Sequence, residues 1–196
     1  MGNLNKKIAA FKTQPFPANI KNRLERLQNT LATDCNSYSH LELFAEIYGA
    51  ADEFMETLVY PFSPCAKGCD YCCHVPVEVT AIEAIIMTEM IDRNLQVGSV
   101  PPVNLRDPCP FLKNNECSIY ANRPLVCRMF ATLDTVEACI EDREHAMHSI
   151  KSNDFFLKIV MMWLVYNSSN LTISATLLPT VRDIREWFHS TPHERP

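Results

Sequence analysis

The stretch that decides the reading is Cys65-Ala66-Lys67-Gly68-Cys69-Asp70-Tyr71-Cys72-Cys73, with four cysteines in nine residues. Cys109, Cys117 and Cys127 follow it. Metal chelation needs several soft donors brought to one point: zinc takes four Cys or His ligands, and thiolates also hold iron–sulfur clusters. Two cysteines separated by two or three residues in a turn aim both sulfurs at one metal. Cys69 and Cys72 have that spacing, Cys65 lies one turn earlier, and Gly68 supplies the backbone freedom such a turn needs. Cys72 and Cys73 are adjacent, and in extended chain their side chains diverge, so they serve different metals or only one is a ligand. With Cys139 or His74 as an eighth donor, the seven thiols suffice for two four-ligand sites. They equally suffice for one cluster with the remainder structural.

Outward from this loop the chain reads as helix. Glycine occurs only four times in 196 residues, too seldom for a Rossmann domain, a P-loop or a β-rich fold. Ile20, Leu24, Leu27 and Leu31 recur at helical spacing and predict a helix over 18–33. A second helix is expected over 39–59, with Leu41, Phe44, Ala45, Tyr48, Met55 and Leu58 on a broad face, ended by Pro61 and Pro64. Thr80-Ala81-Ile82-Glu83 is a capping box opening a helix to about Asn94. Phe111-Leu112 and Ser118-Ile119-Tyr120 flank Lys113 to Glu116 as a small hairpin. Pro124 suits the first turn of a short helix carrying Cys127. Further helices are expected from Asp134 to about Ile150, over the strongly apolar 153–167, and from Pro179 to His189. Residues 153–167 are apolar on nearly every face and are expected to be central.

The fold class expected is therefore mainly α: a small helical bundle with a cysteine-rich metal-binding loop region and at most one short β-hairpin. Residues 1–63 form an N-terminal helical segment packing on the core, and 64–130 the cysteine-cluster region. Residues 131–196 form C-terminal helices completing the same single domain.

Composition narrows the function. The formal charge is −5, the sequence pI is about 5.7, and Lys and Arg are scattered, so no basic face for nucleic acid is expected. The start of the chain reads neither as a secretory signal nor as a myristoylation site. The longest apolar run, Phe155 to Tyr166, contains Lys158 and is too short to span a bilayer. No membrane association is expected and a cytoplasmic location is, where clustered thiols favour metal over disulfides. An odd total of nine cysteines also fits disulfides poorly. Lys67, Arg123 and Arg128 lie close to cysteines in sequence and are placed to offset thiolate charge, the two arginines by donating N–H bonds to metal-bound sulfur. Cys35 stands alone near a helix end and reads as a buried small hydrophobe. Tyr120 and Phe130 read as core residues, and His145 and His148 as a solvated helix face.

The pattern continues as Cys109-Pro110-Phe111-Leu112, Cys117-Ser118-Ile119-Tyr120, Arg123-Pro124 and Cys127-Arg128. Over residues 65–130 this resembles the YkgJ-like cysteine-cluster family, described as zinc- or iron-chelating, whose signature is C-x-x-C-x-x-CC followed by C-x-F-L, C-x-I-Y, R-P and C-R. One departure is the first pair, which is separated here by three residues. The resemblance implies a metal-binding protein chelating zinc or an iron–sulfur cluster, such as a 4Fe–4S cluster. Its ligands would be Cys65, Cys69, Cys72, Cys73, Cys109, Cys117 and Cys127. The metal ion or cluster is the partner it implies, and a protein partner stays open. Two alternatives accompany it: an iron–sulfur redox or sensor protein, and a protein-modifying enzyme related to flagellin lysine-N-methylases, which carry a similar motif.

Two other readings of the loop fit less well. Cys65-x-x-x-Cys69-x-Tyr71-Cys72 matches the radical-SAM cluster motif, but that chemistry needs a parallel α/β barrel with a glycine-rich strand, and only Gly98 lies downstream. A thioredoxin-like use of Cys69 and Cys72 needs a preceding strand, where helix is expected.

Overall fold

Ile20, Leu24, Leu27 and Leu31 line up along one face of a helix, and that face is buried. A computed structural model of the chain describes residues 2–33, 39–96, 103–105, 107–141, 143–149 and 181–188. Cys35 and the apolar stretch 153–167 lie outside the described residues. The fold is mainly α with short two-stranded antiparallel pairs. The described residues divide into two compact units. The first draws on 2–65 and 128–149, the second on 66–127 and 181–188.

In the first unit, α1 (Gly2–Thr13), α2 (Ala18–Thr33) and α3 (His40–Phe54) precede a π-helical turn, Met55–Val59, and a 3-10 turn, Tyr60–Phe62. Ser39 caps α3: its hydroxyl accepts the Glu42 N–H, while the Glu42 carboxylate accepts the Ser39 N–H. That exchange satisfies two otherwise orphaned donors. The buried stripe of α3 is Leu43, Phe44, Ile47, Tyr48, Ala51 and Phe54. Leu41 and Ala45, expected on that face, are exposed, because the 3.6-residue period centres on the 43/44/47/48 set. Each fully buried Leu or Ile contributes roughly 1.5–3 kcal/mol. Gly49 leaves room for the Arg23 guanidinium: a Cβ there would meet Arg23 Nη2 at 2.7 Å. Arg23 in turn donates to Glu53 at 2.7 Å.

The expected helix from Asp134 to Ile150 is much shorter. A short helix α6 covers Val136–Ile140, residues 143–146 are irregular, and Met147–His148 form strand β5, paired with β4 (Ala131–Thr132). The pair buries His148, which is 3% exposed, instead of presenting it on a solvated face with His145. The His148 ring lies against Phe11 and Phe54, and its Nδ1–H donates to the Met129 carbonyl at 2.9 Å.

In the second unit, strand β1 (Glu78–Thr80) leads into helix α4 (Ala81–Met90). Strand β1 pairs with β6 (Val181–Asp183), in register Glu78 to Asp183 and Thr80 to Val181. A four-residue helix α7 (Ile184–Trp187) follows β6 directly. The helix expected from Pro179 therefore begins only at Ile184, because 181–183 are taken by the pairing with β1 and Asp183 serves as the N-cap of α7. The expected hairpin is present as β2 (Leu112–Lys113) and β3 (Glu116–Cys117). Asn114 and Asn115 adopt positive φ of 51° and 61° in its turn, the geometry a two-residue hairpin loop favours. Helix α5 (Leu125–Arg128) begins just after Pro124. Val77, Val79, Ala84, Met87, Phe111, Ile184, Trp187 and Phe188 form the apolar cluster.

Burial holds the His148 pKa below its ordinary value. The folded state keeps the ring neutral, while the unfolded chain takes up a proton as pH falls through about 6.5. Stability from this group is complete above that pH and declines below it, toward the depressed folded value. Thermal melts between pH 7 and pH 5 should show a shallower acid-side loss for His148→Gln than for the parent chain.

Candidate metal centre

Local backbone geometry gathers the first donors. Gly68 has φ +95°, a conformation L side chains avoid, and the Cys69 N–H returns to the Ala66 carbonyl at 3.1 Å. Tyr71–His74 then form a 3-10 turn, with the Cys73 N–H donating to the Asp70 carbonyl at 2.8 Å. The Cys72–Cys73 step therefore lies in a tight turn and not in extended chain.

Three further elements bring the distal donors to the same unit. The Cys109 N–H donates to the Cys73 carbonyl at 2.7 Å, tying the two segments backbone to backbone. The β2–β3 hairpin places Cys117 opposite Leu112. The Ser118 N–H and hydroxyl both donate to the Phe111 carbonyl at 2.8 Å, fixing the hairpin's exit. Cys127 rides on α5, whose first N–H, at Leu125, donates to Glu83 Oε1 at 2.6 Å. Thr80 accepts the Glu83 N–H as expected, while the Glu83 carboxylate serves α5. Cys109 and Cys127 both pack against the apolar cluster.

The electrostatics follow from this packing. A hydrogen bond with Cys73, and then burial, push the Cys72 thiol pKa up. Burial pushes Cys109 up to about 11, raises Cys117, and raises Cys127 well above its ordinary value. These groups sense one another: Cys127 interacts with Cys72, Cys109 and Cys117, and Cys117 with Cys72. Arg123 is the counterweight, favouring the thiolate of both Cys72 and Cys117. Its guanidinium sits 3.8 Å over the Tyr120 ring and donates to the Tyr120 carbonyl at 3.2 Å.

Residues 64–152 match a family model. It is CxxCxxCC, described as "putative zinc- or iron-chelating domain". No curated protein and no solved structure matches the chain. The CxxCxxCC match supports metal binding in general, with zinc and iron as the metals it names. No helix among the described residues is long and apolar enough to cross a membrane.

Within the CxxCxxCC segment, Cys69, Cys73, Cys109, Cys117 and Cys127 are partly buried and Cys72 is exposed, and a set of thiol donors suits a soft or borderline metal. Among the described residues, no three Cys, His, Asp or Glu side chains already surround a single point, so the thiols are neighbours and not a closed coordination sphere. Cys65 groups with the first unit, where its sulfur accepts the Thr132 N–H at 3.4 Å. Cys139 Sγ lies 3.5 Å from His145 Nε2. His74 is exposed and stands 3.8 Å from Asp70, and Lys67 is exposed. Arg128 binds Asp52 and stacks 4.0 Å over Tyr48 in the first unit. Two organising residues escaped the sequence reading. One is the Glu83 carboxylate, whose place in a capping box masked its reach to α5. The other is Arg185, far from every cysteine in sequence, whose Nη2 donates to the Cys73 carbonyl at 3.3 Å.

Gly68→Ala meets space, since the nearest atom to a Cβ is Glu116 Oε1 at 3.9 Å. Its cost is conformational, roughly 1 kcal/mol. Glu83→Ala strands the Leu125 N–H and should cost about 1–3 kcal/mol. Chemical denaturation of both variants checks the order, with Glu83→Ala the more damaging.

Proposed function

We propose that this protein chelates zinc or iron, as an ion or within an iron–sulfur cluster, through cysteine thiolates of its CxxCxxCC segment. The observation that carries the reading is the gathering of Cys72, Cys73, Cys109, Cys117 and Cys127 in one compact unit, with the Cys73 and Cys109 segments tied backbone to backbone at 2.7 Å, Cys117 on the hairpin and Cys127 on α5. Cys69 and Cys73 belong to the same unit and complete its donor supply. Cys65 enters as a donor on the motif.

Partial burial raises the pKa of Cys109, Cys117 and Cys127 and so opposes ionising several of these thiols together. A bound cation supplies the missing positive charge, and binding releases the thiol protons. Arg123 provides part of that charge in advance for Cys72 and Cys117.

The test is anaerobic purification of the full chain, with metal analysis, acid-labile sulfide analysis and a visible spectrum on one sample. Stoichiometric zinc without colour, or iron with sulfide and absorption near about 400 nm, is expected. Cys72→Ser and Cys127→Ser should each lose most of that metal, and Cys65→Ser reports whether the first cysteine ligates. A full chain that takes up neither metal, even on anaerobic reconstitution with zinc or with iron and sulfide, overturns the proposal.

A further inference from the structure

We infer that Arg185, held by Asp183, is a positioning residue for the metal centre: one guanidinium locks the Cys73 and Cys109 segments into a fixed relation. The inference rests on the chelation reading above and names a residue beyond the CxxCxxCC match, which ends at 152.

Arg185 is 5% exposed, and its guanidinium is heavily committed. Nε donates to the Asp107 carbonyl at 2.6 Å, two residues before Cys109. Nη2 donates to the carbonyls of Cys73 and Val75, at 3.3 and 3.2 Å. Nη1 donates to both carboxylate oxygens of Asp183, at 2.9 and 3.1 Å. The Cys73 carbonyl is the decisive atom, because it also accepts the Cys109 N–H at 2.7 Å. Its two lone pairs thus join one donor segment to the other and both to the guanidinium.

Asp183 is as firmly placed. Its Oδ2 accepts the Val77 N–H at 2.7 Å and its Oδ1 accepts the Arg185 N–H at 2.9 Å. A buried ion pair of this kind seldom adds net stability over apolar residues of the same size. It contributes instead a rigid planar fork that Lys cannot reproduce. Groups that orient metal ligands typically govern metal affinity by 10–100-fold.

The experiment compares the full chain with Arg185→Lys and Asp183→Asn, using Co2+ as the probe. It reads affinity by chelator competition, the visible ligand-field spectrum, and the melting of the metal-free protein. Arg185→Lys should lower Co2+ affinity about tenfold or more and alter the spectrum, an effect larger than any accompanying loss in the metal-free melt accounts for. Asp183→Asn, which keeps an acceptor for the Val77 N–H, should shift affinity and spectrum the same way should Arg185→Lys fold poorly. Unchanged affinity and spectrum in a folded variant would overturn the positioning role and leave chelation standing. A loss confined to metal-free stability would overturn it too. A parent chain that binds no Co2+, zinc or iron would overturn chelation itself, and this inference with it.

Discussion

The second unit depends on one buried ion pair, Asp183 with Arg185. Through it a residue 106 positions away, Val77, finds a partner for its N–H. The same pair sets the register of β1 against β6, in which Glu78 faces Asp183. Strands of three residues carry too few ladder bonds to fix their own alignment, and a one-residue slip would exchange the buried Val79 for an exposed neighbour. The carboxylate prevents that slip by capping α7 and binding the Val77 N–H at once. Trp187, fully buried, then reaches back with its indole N–H to the Val79 carbonyl at 2.9 Å.

Within that frame Cys109, Cys117 and Cys127 are partly buried, while Cys72 is exposed. Cys127 packs on an apolar cluster, and its ionisation is opposed by burial first and by neighbouring thiols second. Glu83, whose carboxylate holds the start of α5, adds a further negative charge against it. A single arginine, Arg123, offsets only part of this for Cys72 and Cys117. At Cys109 the charges of Arg185 and Asp183 act in opposite directions.

Much of this is readable in the sequence where the signal is local. The α2 stripe, the Thr80 cap, the Gly68 turn and the 112–117 hairpin each depend on a few neighbouring residues, and each is present. The misses have non-local causes. Strands β4, β5 and β6 are two or three residues long, too short for alternation to register. The pairing of β5 with β4 ends the helix expected to Ile150 and buries His148. Arg128 follows Cys127 in sequence, and its pairing with Asp52 and stacking on Tyr48 come from a distant part of the chain that no local pattern announces. The Cys72–Cys73 step departs from extended chain because Tyr71 to His74 wind into a tight turn.

The CxxCxxCC match and the compact units do not share boundaries. The match runs continuously from 64 to 152, whereas the second unit leaves the chain at Cys127 and resumes in the C-terminal part. Trp187 and Phe188, both outside the match, supply with Phe111 the largest fully buried side chains of the cluster on which Cys109 and Cys127 pack, and Ile184 joins them there. Phe111 and Phe188 meet edge to face at 5.1 Å. A motif defined by its cysteines thus records the donors but not the apolar floor beneath them. That floor can be built by any segment offering two or three large apolar side chains and a way to anchor its backbone. Here the C-terminal segment provides both, with the anchor made by the same aspartate and arginine that grip the cysteine loop.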